Sequence, residues 1–413
     1  MTRSLSIAFA YVGVLTGAGL ASGQELLQYF TAFGKAGLIG IIVVGFLHTF
    51  LGAMILQLGS YFQASEHDEV LQEITHPWIN RFLDLALVLT CFVIGFVMIA
   101  GAGANLNQQF GLPVWLGSAL CAGLVILVGH LDFDKVQAII GSFTILVIGF
   151  IGLAAIYTFL HLEGDFFANE ALARSLPTTL PNIWISVINY FSMCFITGAS
   201  MAIVLGGNAF QLKEAGRGGL VGGLIVGLIG IVIAMVLYVR LDRVMDSDIP
   251  MLQLVEEISP ILGFLMSLVI YAMIFNTAMG LYYALARRFS GDRPRKFSLV
   301  LIGLVLVGFA LSFVGFKTLI AYMYPMLGYI GLLLIGVVVW AWMSHRGTIR
   351  VEMGRRSLIM DLSEKHLDEN QSLNRREYRI LNFLIHKSNL DDREVRETVR
   401  DLVEGQKEED REE

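Results

Sequence analysis

The stretch Ala10-Tyr11-Val12-Gly13-Val14-Leu15-Thr16-Gly17-Ala18-Gly19-Leu20-Ala21-Ser22-Gly23-Gln24-Glu25 decides how this chain is read. It is apolar enough to enter a bilayer, yet Gly13, Gly17, Gly19 and Gly23 fall within eleven residues and Thr16, Ser22, Gln24 and Glu25 interrupt it. Glycine is about 1 kcal/mol worse than alanine in a helix interior. The segment therefore predicts a transmembrane helix that loses its winding in mid-span. Hydrocarbon offers no partners to the N–H and C=O groups freed there; an ion, a solute or water in a protein-lined cavity does. The competing reading of Gly13 and Gly17, and of the run 101–103, is close helix packing through small-xxx-small spacing. Arg3 ahead of the run and Ala21-Ser22-Gly23 behind it resemble a secretory signal and its cleavage site, but the run continues through Gln24 and Glu25 into more apolar sequence, which suits a functional span.

The rest of the chain supports a membrane protein. Of 413 residues, 55% are hydrophobic and 15% charged, and the mean hydropathy is +0.68. These values exclude a soluble globular enzyme. The charge is uneven: residues 1–345 are about 10% charged and residues 346–413 about 46%. About 20 apolar residues cross a hydrocarbon core, and ten such stretches are predicted, at 5–31, 36–62, 80–109, 113–129, 135–160, 182–209, 218–240, 261–286, 297–314 and 318–344. An even number of crossings leaves both termini on one side. Lys and Arg in short loops are retained in the cytoplasm. With the N-terminus inside, the cytoplasmic loops carry Arg3, Arg81, Lys135, Lys213, Arg217, Arg287, Arg288, Arg293, Arg295 and Lys296; the outside holds Lys35, Arg174, Arg240, Arg243 and Lys317. Both termini are expected in the cytoplasm of a bacterium, with the chain multi-pass in the inner membrane. Residues 163–180 and 241–260 are expected to cap the outer mouth with short surface helices, carried in the second case by Met251, Leu252, Leu254 and Val255, while 65–80 forms a cytoplasmic surface segment.

Span 6 repeats part of span 1. It reads Asn189-Tyr190-Phe191-Ser192-Met193-Cys194-Phe195-Ile196-Thr197-Gly198-Ala199-Ser200, so Thr-Gly-Ala follows a tyrosine in both, and Thr16 and Thr197 lie 181 residues apart. Five crossings per half make the second half enter from the opposite side. Inverted repeats with interrupted helices are the architecture of many secondary transporters, and span 6 is expected to break as span 1 does. The organisation expected is an all-α membrane protein: a first five-helix repeat over 1–160, an external loop at 161–181, an inverted second repeat over 182–345 and a charged cytoplasmic tail over 346–413.

On these residues the chain resembles the amino acid/polyamine/cation superfamily of transporters with the LeuT-type fold, and within it, through Gly17-Ala18-Gly19-Leu20-Ala21-Ser22-Gly23-Gln24-Glu25, the bacterial YkvI-like membrane proteins. The resemblance implies a sodium ion between the unwound part of span 1 and span 8. Gly13, Gly17 and Gly19 match the superfamily's Gly-xxx-Gly-x-Gly pattern. The ligands carried over are the carbonyls of Gly13, Thr16 and Met273 and the side chains of Asn276 and Thr277. Asn276 departs from the more usual Ser/Thr pair. Neutral oxygens in a small cage suit a monovalent cation. Sodium-independent relatives place a span 5 lysine there, and span 5 here has only Lys135, at its cytoplasmic end. The resemblance further implies a small-molecule substrate bound by Thr16, Gly17 and the N–H groups of Ala18, Gly19 and Leu20, with a side-chain pocket at Phe92, Gly95 and Phe96 of span 3 and Phe191, Phe195, Thr197 and Ser200 of span 6. The competing reading of Asn276-Thr277 is an interhelical hydrogen bond.

Glu25 and His48 are the titratable residues most clearly inside spans, roughly 15 and 20 Å below Lys35 along their helices, and buried charge in a membrane is a functional candidate by default. They are candidates for pairing, for proton coupling, or for satisfying backbone groups near the break. Cys91, Cys121 and Cys194 lack disulfide or metal spacing. Nothing clusters basic residues for nucleic acid, and HExxH, GxSxG and Walker-type loops are absent from the sequence. The tail carries Leu373, Tyr378, Leu381, Leu384 and Ile385, then Val395, Val399 and Leu402, at helical spacing, which suits docking, self-association or regulation. The expected function is therefore a secondary active transporter (symporter) of a small amino acid or related solute, coupled to sodium and using no other cofactor. The alternatives are proton coupling through Glu25, and a ligand-binding sensor signalling through the tail.

Overall fold

The computed structural model describes residues 3–129, 143–162, 165–291, 293–367 and 373–412. Lys135 and the first part of the fifth predicted span lie outside the described residues. Within them the chain is helical and without strands. The first span is three helices, α1 (Arg3–Leu15), α2 (Ala18–Ser22) and α3 (Gln24–Tyr29), followed by a 3-10 turn at Thr31–Phe33. Then come α4 (Lys35–Phe62), α5 (His67–Ile74), α6 (Pro77–Phe110), α7 (Val114–Val128) and α8 (Phe143–Leu160). After the short α9 (Glu170–Ala173) follow α10 (Ile183–Gly207), α11 (Leu212–Val239), α12 (Leu241–Val244), α13 (Pro250–Ile258), α14 (Pro260–Ser290), α15 (Pro294–Ser312), α16 (Phe316–Leu367), α17 (Arg375–His386) and α18 (Asp392–Glu412).

Eight of these helices, α4, α6, α8, α10, α11, α14, α15 and α16, are long and apolar enough to cross a membrane; α1 and α7 are shorter apolar helices. Their positions follow the apolar stretches of the sequence because a buried helix needs nothing more than continuous apolar sequence. No break separates the last span from the tail, since α16 runs 52 residues through His345 into the charged region. At 1.5 Å per residue that is about 78 Å, more than twice a hydrocarbon core.

The helices pack as two groups. In one, α1 and α4 pack on α11 and α10 packs on α4 and α1; in the other, α6, α7, α14 and α15 pack on one another, while α16 lies along α10 and α8 touches α11 and α14. The α4–α11 seam is close because it is glycine-lined: a Cβ on Gly227 would stand 2.6 Å from the Gly45 Cα, and one on Gly219 2.5 Å from the Gly52 carbonyl oxygen. Without a hydrophobic drive between helices in lipid, such close approach is the main source of association. The short helices expected at 163–180 and 241–260 form as α9, α12 and α13, with Met251, Leu252, Leu254 and Val255 buried on α13. A separate apolar cluster joins α16, α17 and α18 to Phe210 in the α10–α11 connection.

Candidate functional site

Span 1 is broken where the sequence places the break. α1 stops at Leu15, and the Thr16 N–H and hydroxyl both donate to the Val12 carbonyl, at 2.7 and 2.6 Å. Gly17 is extended (φ −77°, ψ 178°) and α2 starts at Ala18. The carbonyls of Gly13, Val14 and Leu15 consequently receive no main-chain N–H, and the N–H groups of Ala18, Gly19 and Leu20 find no main-chain acceptor among the described residues. Helix ends leave such groups by construction; here both sets meet in the middle of one span. A second interruption follows at Gly23, whose φ of +78° belongs to the left-handed region that side chains rarely adopt. There the Ser22 hydroxyl donates to the Gly19 carbonyl at 2.7 Å and accepts from the Gln24 N–H at 3.2 Å.

Span 6 does not break. α10 is continuous from Ile183 to Gly207, with Thr197 Oγ1 donating to the Met193 carbonyl at 2.7 Å inside an unbroken helix. The expectation from the shared Thr-Gly-Ala is corrected here, and the reason is packing. A Cβ on Gly198 would stand 2.8 Å from Leu15 Cδ2, so this glycine lets α1 lie against α10; a Cβ on Gly17 would meet nothing within 4 Å.

Glu25 lies in the first turn of α3, is 6% exposed, and lays its carboxylate over Gly19, where a Cβ would overlap it. The Tyr190 hydroxyl of α10 lies beside the carboxylate. Among the described residues no Lys, Arg or His forms an ion pair with Glu25, so the pairing with His48 is not made. His48 instead sets its ring against Phe191, with centroids 4.9 Å apart, and its buried Nδ1 has no hydrogen-bond partner. Beside Glu25 runs a chain of polar contacts not anticipated from the sequence. Tyr29 donates to Asn189 Oδ1 at 3.1 Å, Asn189 Nδ2 donates to the Pro325 carbonyl at 2.9 Å, and the Ser186 hydroxyl donates to the Tyr29 carbonyl at 2.5 Å. The available signal was polar residues three apart, Ser186 and Asn189, on an otherwise apolar helix.

Two small voids flank the break. One, about 20 Å³, is lined by Leu15, Leu20, Val44, His48, Tyr190 and Cys194 with residues of α11. The other, about 10 Å³, lies between Thr16, Gly17, Leu20 and Ala21 and the α8 residues Thr144, Val147, Ile148 and Ile151. Each has room for about one water-sized guest.

The remaining expected residues fall into separate places. Phe92, Gly95 and Phe96 of α6 pack around Tyr282 of α14: Phe92 lies 5.6 Å from the Phe96 ring and 6.3 Å from that of Tyr282, and a Cβ on Gly95 would stand 2.9 Å from Tyr282 Cζ. Phe191 and Phe195, with ring centroids 5.6 Å apart, belong to an apolar cluster shared with α4, α5 and α16. The Ser200 hydroxyl is 2.6 Å from Nδ1 of His67, on α5. Burial, working against Asp68 and Asp84, holds the His67 pKa below its usual value. Of the expected ion ligands, Gly13 is exposed and Thr16 and Met273 are buried; Asn276 Oδ1 is buried without a partner, while Thr277 is half-buried beside it. α14, which bears Met273, Asn276 and Thr277, packs against α2.

No family model matches the chain. The chain is homologous to two Bacillus subtilis (strain 168) proteins. It is 24% identical to the uncharacterized membrane protein YkvI over 335 residues, covering 80% of this chain and 94% of YkvI. It is 27% identical to the uncharacterized protein YyaD over 325 residues, covering 78% of this chain and 92% of YyaD. Among solved structures, the inward-facing conformation of Mhp1 superposes with a TM-score of 0.52 at 14% identity, over 83% of this chain and 77% of Mhp1. That likeness shows a LeuT-type fold. A manganese transporter from Eremococcus coleocola gives a TM-score of 0.49 at 13% identity, covering 98% of this chain and 91% of that one.

Proposed function

We propose that the chain is a secondary active transporter that moves a small organic solute, an amino acid or related compound, by alternating access. One observation carries this reading: span 1 opens at Thr16–Gly17, leaving unpaired carbonyls at the end of α1 and unpaired N–H groups on the buried residues Ala18, Gly19 and Leu20 of α2. Lipid tolerates such exposed backbone only where it is buried in protein or lines a cavity, and half-helix ends of this kind are how transporters hold ions and substrates at mid-membrane. The fold shared with Mhp1 supports the reading, as do the small voids on either side of the break. In this proposal ten helices form a five-plus-five inverted repeat, α1–α3 and α7 being the two spans too short individually to count. The chain sits in the bacterial inner membrane with both termini cytoplasmic.

The coupling ion proposed is sodium, held by the carbonyls of Gly13 and Thr16, the Met273 carbonyl, Asn276 Oδ1 and Thr277. The unpartnered Asn276 oxygen supports it, because a buried amide oxygen without a donor is costly unless a cation satisfies it. A second reading is favoured by Glu25, a buried carboxylate without a cationic partner, which suits proton coupling. Uptake of labelled amino acids and amines into proteoliposomes, with sodium or proton gradients imposed separately, tests both. Sodium-driven uptake that is lost in Asn276→Ala supports the first; proton-driven uptake that survives Asn276→Ala and is lost in Glu25→Gln supports the second. Uptake of no solute under either gradient would remove the transport reading.

A further inference from the structure

Among the described residues the largest fully buried side chain is a charged one, Arg356, on the extension of α16 beyond the membrane. All five of its N–H donors are placed. Nη1 donates to the carbonyls of Ser60 and Phe210 at 2.8 and 3.1 Å, Nη2 to the Tyr61 carbonyl and Asn389 Oδ1 at 2.9 Å each, and Nε to Glu352 Oε1 at 3.1 Å. The guanidinium also lies 5.4 Å from the centre of the Phe210 ring. Ser60 and Tyr61 are in the last turn of α4, where carbonyls lack helix partners and the helix dipole favours a cation. Phe210 is in the α10–α11 connection. One side chain thus ties together the inner ends of α4, α10 and α11 and the turn between the last two helices, where Asn389 Nδ2 also donates to the Tyr61 carbonyl at 2.7 Å.

From that turn α18 runs back to the first helix of the chain. Arg3 Nη2 donates to the Leu402 carbonyl at 3.0 Å. Arg3 begins α1, the inner half of the broken span, whose only covalent link to the outer half is the Thr16–Gly17 joint. That joint is sterically free to bend, as Gly17 has no neighbour within reach of a Cβ. α1 is also the helix that must leave α11 and α10 for the voids at the break to open inward. Among the described residues, the tail therefore grips both the fixed ends of the bundle, through Arg356, and its movable inner half-helix, through Arg3.

We infer that α17 and α18 form a latch that holds α1 against α11 and keeps the cytoplasmic side of the pathway closed, an inference that rests on the transporter reading above. The buried apolar cluster that Phe210 shares with Ile359 and Met360 of α16, Leu381 of α17 and Val395 of α18 makes the grip a packed one. Release of the tail, or loss of the Arg3 contact, shifts the protein toward an inward-open population.

The test reads that population without needing a substrate. Cys194 lines the larger void at the break; with Cys91→Ala and Cys121→Ala as background, its maleimide labelling rate is followed in inside-out vesicles. Removal of residues 373–413 and, separately, Arg3→Ala are each expected to raise the rate roughly five- to tenfold, the population change from losing about one hydrogen bond to a charged group. Arg3→Lys, which keeps a donor and a charge, is expected to stay near wild type. If truncation prevents folding, Arg3→Ala decides alone. Wild-type labelling rates in Arg3→Ala overturn the latch, and so does a rise in Arg3→Lys as large as in Arg3→Ala. Failure of uptake with labelling still raised removes the transporter reading and leaves the latch; uptake with unchanged labelling does the reverse.

Discussion

Thr16-Gly17-Ala18 and Thr197-Gly198-Ala199 are the same tripeptide in two membrane helices, and only the first breaks its helix. In both, the threonine hydroxyl turns back to the carbonyl four residues earlier. What differs is the company of the glycine. Gly17 faces open space and is followed by Gly19 and Gly23, so the helix loses propensity over a whole turn and nothing packs it straight. Gly198 stands alone in its turn, and its missing Cβ is filled by Leu15. A glycine that makes room for a neighbour stabilises the helix it sits in, whereas one without a neighbour weakens it. The comparison extends nine residues beyond each threonine: Glu25 in span 1, with a carboxylate at the break, corresponds to Gly206 in span 6, where a Cβ would collide with the backbone of Leu56. The polar machinery is therefore asymmetric, with a broken, charged span 1 resting on an intact span 6.

The sharpest test of that asymmetry is Glu25→Gln. On the proton-coupled reading it is expected to reduce proton-driven uptake by about a hundredfold, the size of loss met when a group acting directly in a mechanism is removed; on the sodium-coupled reading sodium-driven uptake is expected to survive it. An equal loss from Ser192→Ala, in span 6, breaks the comparison. Next in size is Gly23→Val, which forces a branched side chain into φ +78° and against Met251 Cγ, 2.9 Å from where its Cβ would stand. With strain and overpacking of about 1–3 kcal/mol each, the melting temperature of the purified protein should fall by about 2–7 °C.

Gly17 and Gly198 are then predicted to respond with opposite sign. Gly198→Val should destabilise by about 1–3 kcal/mol by prying α1 from α10. Gly17→Ala meets no atom and raises helix propensity, so thermal stability is unchanged or higher by up to about 1 kcal/mol, while uptake slows because the joint stiffens. Melting curves and uptake rates on both variants check this.

The smallest effect concerns the outer end of span 1. There Glu170 Oε2 accepts from the Lys35 N–H and from Tyr238, each at 2.8 Å, and Oε1 pairs with Arg174 at 2.7 Å. Burial alone would raise this carboxyl's pKa, but the hydrogen bonds from Tyr238, Arg174 and Lys35 outweigh it and hold the pKa below the usual range. A depressed folded-state pKa contributes stability that is present above the ordinary carboxylate pKa and lost as pH falls through the folded one. Glu170→Gln should lower the melting temperature by about 2 °C at neutral pH, and the gap to wild type should close on acidification. A gap that persists undiminished at low pH refutes the assignment.

The sequence carried the positions of the spans because apolar length is a property of each segment alone, and the break at Thr16–Gly17 because four glycines act locally. It did not carry the continuity of α10, which depends on Leu15 filling the space at Gly198 from 183 residues away. Nor did it place Phe92, Gly95 and Phe96, whose surroundings are set by Tyr282 entering between α6 and α15, where a Cβ on Gly308 would collide with its hydroxyl. Arg356 was hidden for the same reason: in a tail that is nearly half charged an arginine reads as solvated, and only the folded chain shows it without exposure.

Amide hydrogen exchange on the protein in lipid nanodiscs tests the broken-helix claim most directly, by comparing residues 17–20 with residues 198–201. The account predicts that the first set exchanges faster by about a hundredfold or more, because its N–H groups lack helix acceptors. Equal and strong protection of the two segments would contradict it.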